Sequence, residues 1–347
     1  MSLLNSINNG LVVSRSSQTG SSLVRNNTIK LSFKDIPAVF LSYDEPNANV
    51  NFDKLKNGHP NPDMVKRVHG VKGLDAAHKA CAAHAVNDRF FTIDGDCAVD
   101  PEIWKEEMVL DAKDIQCTFS WSSRNIINGL VYGNGGIKLW YAPYVLNMRT
   151  HEAADPDDND NNVDFCWDEK NYKQMNYTYG TVMNNATAFQ AFRAGFREGV
   201  KMGLDQGHKV DVDKFKNKMY PGNYARWLIW MTVGRDVTNG FWAMYGARLG
   251  AHKLYIENFD HSLISDYDWF KDYWNSLYNN VTNHEGHANE ILIELKQNLS
   301  LPLVELTADQ SLWFKHVNIS PPKNFGWPSM LNHSALPLFG FTLPKWN

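Results

Sequence analysis

The stretch Arg89-Phe90-Phe91-Thr92-Ile93-Asp94-Gly95-Asp96 decides the fold. Aromatic and β-branched side chains in an unbroken apolar run suit a short strand buried on both faces. Two carboxylates one residue apart then close the run. Upstream, residues 37–43 (P-A-V-F-L-S-Y) form a similar run, stopped by Asp44-Glu45-Pro46-Asn47, and residues 65–68 form another. Residues 73–85 carry small side chains at helical spacing, and Asp75 in the first turn suits the positive end of the helix dipole. Apolar strands alternating with a helix predict an α/β domain with a mostly parallel sheet flanked by helices.

Downstream the pattern changes. Residues 128–139 (N-G-L-V-Y-G-N-G-G-I-K-L) read as two short strands around a tight glycine loop, and residues 152–162 as an acidic, Pro-containing loop. A long helix is expected over 188–206, with Thr187 and Gln190 as a capping box and Gly207 as its stop. Phe189, Phe192, Phe196 and Val200 make its core stripe. Arg193, Arg197 and Lys201 share another face, either solvated and ion-paired or anion-binding. From residue 210 to about 296 the chain reads as helical and aromatic, and 297–347 are Pro-rich and irregular. The expected division is a Ser/Asn-rich arm over 1–30, an α/β core over 31–150, and a mostly helical part over 151–347.

At 347 residues, 43% hydrophobic and 21% charged, the chain can bury a large core. Its 12 Trp and 14 Tyr suit core packing or stacking platforms. A formal charge of −4 supplies no general attraction for nucleic acid, so a nucleic-acid partner would need a local basic face. Cys81, Cys97, Cys117 and Cys166 form no C-x-x-C pair and read as reduced and buried. No apolar run reaches membrane-spanning length, and no basic-then-apolar leader opens the sequence. The expectation is a soluble, cytoplasmic protein with no membrane partner.

Ligands of α/β folds gather beyond the carboxyl ends of the strands, where Asp94 and Asp96 fall. Mg²⁺ and Mn²⁺ take oxygen ligands, commonly one or two carboxylates together with substrate phosphates. Such a metal would neutralise a diphosphate leaving group. Gly95 is expected to let the backbone turn so that both carboxylates converge. In the glycine stretch, Gly136 allows close approach to a ligand and Lys138 has the reach to meet a phosphate. His151 is a candidate third metal ligand or phosphate contact. Glu152, Asp164 and Asp168 are the pool for a catalytic group, either a general base or a group facing an oxocarbenium-like centre. The apolar setting of Asp164 would raise its pKa. Arg235 and Asp236 read as a structural pair, with diphosphate support as the alternative. His284 and His287 lack the H-E-x-x-H spacing. Arg193, Arg197, Lys201, Arg226 and Arg248, interspersed with Trp227, Trp230 and Trp242, suggest an acceptor surface.

Gly70-Val-Lys-Gly73-Leu-Asp-Ala-Ala77-His-Lys-Ala-Cys81, followed by the apolar strand into Asp94-Gly95-Asp96, resembles the donor half of family 2 glycosyltransferases of GT-A (Rossmann-like) fold. Ser42, Tyr43 and Asp44 sit where that family has T-Y-N. His78 replaces its usual Arg, Lys79 its usual Asn, and His69 stands where it has an acidic residue. The resemblance implies that Tyr43 lies against a nucleotide base and that Asp94 and Asp96 contact ribose, metal and diphosphate. Ser42, Asp44, Lys72 and His78 would complete the nucleotide-sugar site, with Mn²⁺ or Mg²⁺ as cofactor and a UDP-sugar as donor.

Residues from about 42 to 250 resemble, more narrowly, a group of bacteriophage GT-A-like proteins related to the base J glucosyltransferase. Segments M-R-T-H-E, D-F-C-W-D, A-F-R-A-G-F-R-E-G-V-K-M and G-R-D-V-T-N-G carry that resemblance. It implies transfer of a hexose or pentose onto hydroxymethylcytosine or hydroxymethyluracil in DNA, in a host-cell cytoplasm. The alternatives are a glycan, lipid or protein acceptor, or a non-catalytic sugar- or nucleic-acid-binding module. A sugar-nucleotide pyrophosphorylase is set aside, because its early G-x-G-x-R segment is missing.

Overall fold

The run at 89–94 and its two upstream counterparts become neighbouring strands of one sheet. The computed structural model describes residues 28–150, 162–163, 171–205, 208–215, 219 and 222–318. Up to Val182 the chain runs through β1 (Thr28–Ser32), β2 (Ala38–Ser42), α1 (Ala48–Gly58), β3 (Val65–His69), α2 (Leu74–Ala82), β4 (Arg89–Asp94), β5 (Cys97–Val99), β6 (Glu107–Asp111), β7 (Thr118–Asn125), β8 (Val131–Tyr141), α3 (Ala142–Asn147), β9 (Arg149–Thr150), β10 (Asn162–Val163) and β11 (Tyr172–Val182). The main sheet has the order β3-β2-β4-β8-β7-β11-β5. Here β2 pairs in parallel with both β3 and β4, and β4 pairs antiparallel with β8.

The α/β class holds, but the sheet is mixed rather than mostly parallel. Its antiparallel neighbour comes from the glycine stretch, which is not two strands about a loop. Gly133-Asn134-Gly135-Gly136 lies inside the single strand β8. The tight turn lies earlier, where Asn125 and Asn128 side chains bond the Ile127 and Leu130 amides and Gly129 takes a φ of 76°.

Alternation along β2, β4 and β8 feeds two cores. Phe40, Phe91, Ile93, Ile137 and Leu139 pack with Leu55 of α1 and with Trp104 and Trp121. Val39, Phe90 and Trp140 point the other way, onto Cys81 and Ala82 of α2 and Ala142 and Val145 of α3. With both faces covered, the strands read as continuous apolar runs. Phe90 and Phe91 are both fully buried, so truncating either to Ala would cost about 3–5 kcal/mol.

Two features fall outside the sequence expectations. Helix α1 forms where only a turn was expected after Asp44-Glu45-Pro46-Asn47, because its Asn-rich sequence has low intrinsic propensity and depends on burying Ala48 and Leu55. Strand β1, starting at Thr28 within the expected arm, pairs antiparallel with β6.

Contacts within the chain gather into two compact units, Met1–Ser123 with Gly133–Thr181, and Arg124–Tyr132 with Val182–Asn347. The second holds α4 (Ala188–Lys201), β12 (Leu204–Asp205), β13 (His208–Lys209), α5 (Asn223–Thr232), α6 (Gly240–Tyr255), α7 (Tyr267–Asn280), α8 (His284–Leu299) and α9 (Ala308–Asn318). The Thr187 cap forms as expected, its hydroxyl accepting from the Gln190 amide at 3.1 Å. Helix α4 stops at Lys201 rather than 206, since Leu204–Asp205 turns back against His208–Lys209. Phe192, Phe196 and Val200 are fully buried and Phe189 partly so. Gly195 and Gly199 of α4 face Ala243 and Ala247 of α6, while Gly246 and Gly250 face Phe192 and Phe196. A side chain at any of the four would overlap a carbonyl oxygen of the opposing helix.

Candidate functional site

Strand β4 delivers Asp94 to the carboxyl edge of the sheet, and the turn into β5 places Asp96 two residues on. The chain turns at Gly95 and Asp96, and Gly95 does so without a left-handed φ. It is there for space. A Cβ at Gly95 would lie 2.5 Å from Glu45 Oε2 and 3.0 Å from Ser42 Cβ. Glu45 is thus a third carboxylate beside the turn, anchored by accepting the Tyr43 amide at 2.8 Å. Asn51 of α1, almost fully buried, donates its side-chain amide to Gly95 O at 3.1 Å. The turn is therefore clamped by the loop and helix that follow β2.

Gly136 meets this turn from the neighbouring strand. The β4–β8 register sets Ile93 opposite Ile137, which brings Gly136 level with Asp94. A Cβ there would lie 2.7 Å from Cys97 Cβ and 3.1 Å from Asp94 Cβ. The glycine stretch and the D-G-D turn, separate in sequence, meet in one place.

Lys138, opposite Thr92 in the same register, points beneath the edge instead of out towards a phosphate. It is 5% exposed and donates to Gly135 O at 3.4 Å. His78 of α2 is 3% exposed, and its Nδ1 lies 2.9 Å from Leu74 O, so that nitrogen carries the hydrogen. Burial lowers its pKa to about 4; the Leu74 carbonyl opposes that, Lys138 adds to it, and Asp94 and Asp75 oppose it. A neutral, buried imidazole does not supply the cation of the Arg that it replaces in the resembling family. Burial, reinforced by Asp94, raises the Cys81 thiol to about 12. Burial raises the Cys97 thiol further, with help from Asp96 and Asp94. Cys81, Cys97 and Cys117 are free and buried, as expected; Cys166 lies outside the described residues.

Tyr43 and Asp44 follow β2 into the open edge, with Tyr43 46% exposed, and Lys72 is exposed beyond β3. Ser42 is buried, and its hydroxyl joins Arg67 Nε at 3.1 Å to His69 Nδ1 at 3.0 Å. Sequence reading missed Arg67, Glu45 and Asn51; nothing in their local pattern marks them.

The donor set suits one kind of metal. Among the described residues no group of three or more His, Cys, Asp or Glu side chains is placed to hold a metal ion. Two carboxylates on one turn fit a divalent metal that completes its shell with substrate phosphate oxygens and water. They do not fit a self-contained protein cage. His151, Glu152, Asp164 and Asp168 lie outside the described residues.

Most of the basic and aromatic surface suggested by the sequence is interior. Trp227, Trp230, Arg226 and Arg248 are all at most 3% exposed. Arg248 donates to Met231 O at 2.8 Å and to Glu305 at 2.5 Å, and Arg226 lies over the Tyr132 ring. Arg193 packs 4.7 Å from the centre of the Tyr267 ring, and Lys201 faces Glu198 at 3.8 Å. Arg235 forks between Glu285 and Glu305, and Asp236 pairs with Lys315, so both are structural. His284 stacks on Tyr278, and His287 meets the Tyr245 hydroxyl at 2.5 Å. Among the described residues no helix is long and apolar enough to cross a membrane. No protein-family model, curated protein or solved structure matches this chain.

Proposed function

We propose that the chain is a metal-dependent glycosyltransferase of GT-A type, taking its sugar from a nucleoside diphosphate donor, UDP-linked by resemblance. The observation that carries this reading is the convergence of Asp94-Gly95-Asp96 with Gly136 at the carboxyl edge of parallel strands, beside the exposed ring of Tyr43. Asp94 and Asp96 would hold Mn²⁺ or Mg²⁺, which supplies charge neutralisation to the departing diphosphate. The protein's own contribution is positional. Glu45 and Ser42 fill the space a Gly95 side chain would need, and Asn51 fixes the Gly95 carbonyl. Gly136 leaves room for Asp94, whose Cβ a side chain at that position would crowd. Tyr43 offers an aromatic face to the base.

The acceptor, a hydroxymethylated pyrimidine in DNA, rests on the bacteriophage resemblance. The catalytic group belongs to the pool Glu152, Asp164 and Asp168. Incubation with radiolabelled UDP-sugars and Mn²⁺ tests the whole reading. Label is expected on DNA containing hydroxymethylcytosine or hydroxymethyluracil and absent from unmodified DNA. Label on glycan or protein alone would remove the DNA acceptor while keeping the enzyme class, and label nowhere would contradict the transferase.

A further inference from the structure

Trp242 of α6, Trp274 and Tyr278 of α7, and His284 at the start of α8 join their rings into one cluster within the helical unit. Tyr278 lies 5.3 Å from His284 at an interplanar angle of 29°, 5.2 Å from Trp274 at 31° and 5.7 Å from Trp242 at 39°. Trp242 in turn lies 4.9 Å from His284 and 5.0 Å from Trp274. Although three rings hold it, Tyr278 is 49% exposed, while its three neighbours are half-buried. A ring held in this way has already lost much of the side-chain freedom that binding would otherwise remove.

The surroundings of Tyr278 decide what fits on it. From Tyr273 to His284 the chain has no Lys, Arg, Asp or Glu, and Glu285, the next charge along it, is held by Arg235 at 2.6 Å. A phosphate gains no lysine or arginine from this segment. Between Ile256 and Ile293, Tyr278 is the one large hydrophobic side chain that is exposed, which is far less apolar surface than a protein interface needs. Its polar neighbours are amides. Asn275, one turn back on the same face of α7, and Asn279 are both exposed. An amide both donates and accepts, as a hydroxyl does. A glucopyranose ring carries its hydroxyls equatorially and so presents flat C–H faces, whose partly positive hydrogens suit the negative face of an aromatic ring. We propose that Tyr278, supported by Trp242, Trp274 and His284 and rimmed by Asn275 and Asn279, is a stacking site for neutral glucans. It shares no residue with the Asp94-Gly95-Asp96 turn.

Saturation-transfer NMR on the full chain, with cellohexaose and maltohexaose as probes, tests this. Transfer to the sugar C–H protons is expected. Tyr278→Ala should weaken binding about fivefold or more, and Tyr278→Phe, which keeps the ring, by less than about twofold. Both variants should melt like the wild type, because the side chain is half outside the fold. The Asp94→Asn/Asp96→Asn variant should bind glucan unchanged, so this site and the transferase reading stand or fall separately. Transfer to neither glucan, or equal affinity in Tyr278→Ala, would overturn the proposal. So would tighter, Tyr278-dependent binding of an oligothymidylate, which would make the ring a nucleobase platform. Sedimentation showing self-association that Tyr278→Ala abolishes would overturn it in favour of a contact between copies of the chain.

Discussion

Gly136 and Gly95 show how single residues shape the edge. Each lacks a side chain because a specific neighbour occupies its place: Cys97 and Asp94 at the first, Glu45 at the second. Gly136→Ala would push on the Asp94 side chain, with a destabilisation of about 1–3 kcal/mol by urea unfolding and a larger loss of Mn²⁺-dependent nucleotide affinity. Unchanged affinity would mean that the Asp94 carboxylate is not a ligand. His78 gives a pH dependence of known sign. Its folded pKa of about 4 lies below the unfolded value of 6.5, so the unfolded chain binds more protons between these limits. Stability is therefore full above pH 6.5 and falls as pH drops towards 4, by up to ~3 kcal/mol. His59, its pKa also lowered mainly by burial, adds in the same direction. His78→Gln should show a shallower loss across that window in chemical denaturation; an unchanged slope would exclude His78 as the source.

Helices α4 and α6 carry the clearest element-scale test. Gly→Ala at an exposed helix position stabilises by up to about 1 kcal/mol, whereas at a close backbone contact overlap reverses the sign. Gly199→Ala and Gly246→Ala should each destabilise by about 2 kcal/mol or more, and a neutral result would mean that the helices stand further apart. At this scale much was legible in the sequence. The strands at 38–42, 65–69 and 89–94, the helix after Gly73 and the Thr187 cap follow from local apolar runs and cap chemistry. Strand β8 was misread because Gly135 and Gly136 look like a turn until the neighbouring atoms explain their missing side chains. Lys138 was read as a phosphate contact because its burial depends on the β4 register, and Arg226 and Arg248 as a surface because their partners are distant in sequence. Asp94 and Asp96 were legible, since the strand that carries them announces its own end.

Across the whole molecule, a formal charge of −4 and the burial of Arg226 and Arg248 leave recognition to local chemistry. Affinity for unmodified duplex DNA at physiological salt should sit near the weak, ~10⁻⁴ M end of non-specific binding. Fluorescence anisotropy that gave micromolar binding with a steep salt slope would instead reveal an extended basic face. The central claim, that Asp94 and Asp96 hold a metal against a diphosphate, is tested most directly by thermal melting with UDP. Mn²⁺ and UDP together should raise the melting temperature more than either alone, and the Asp94→Asn/Asp96→Asn variant should melt cooperatively without that rise. An equal rise in the variant, or no response of the wild type to any nucleoside diphosphate with Mn²⁺ or Mg²⁺, would contradict it.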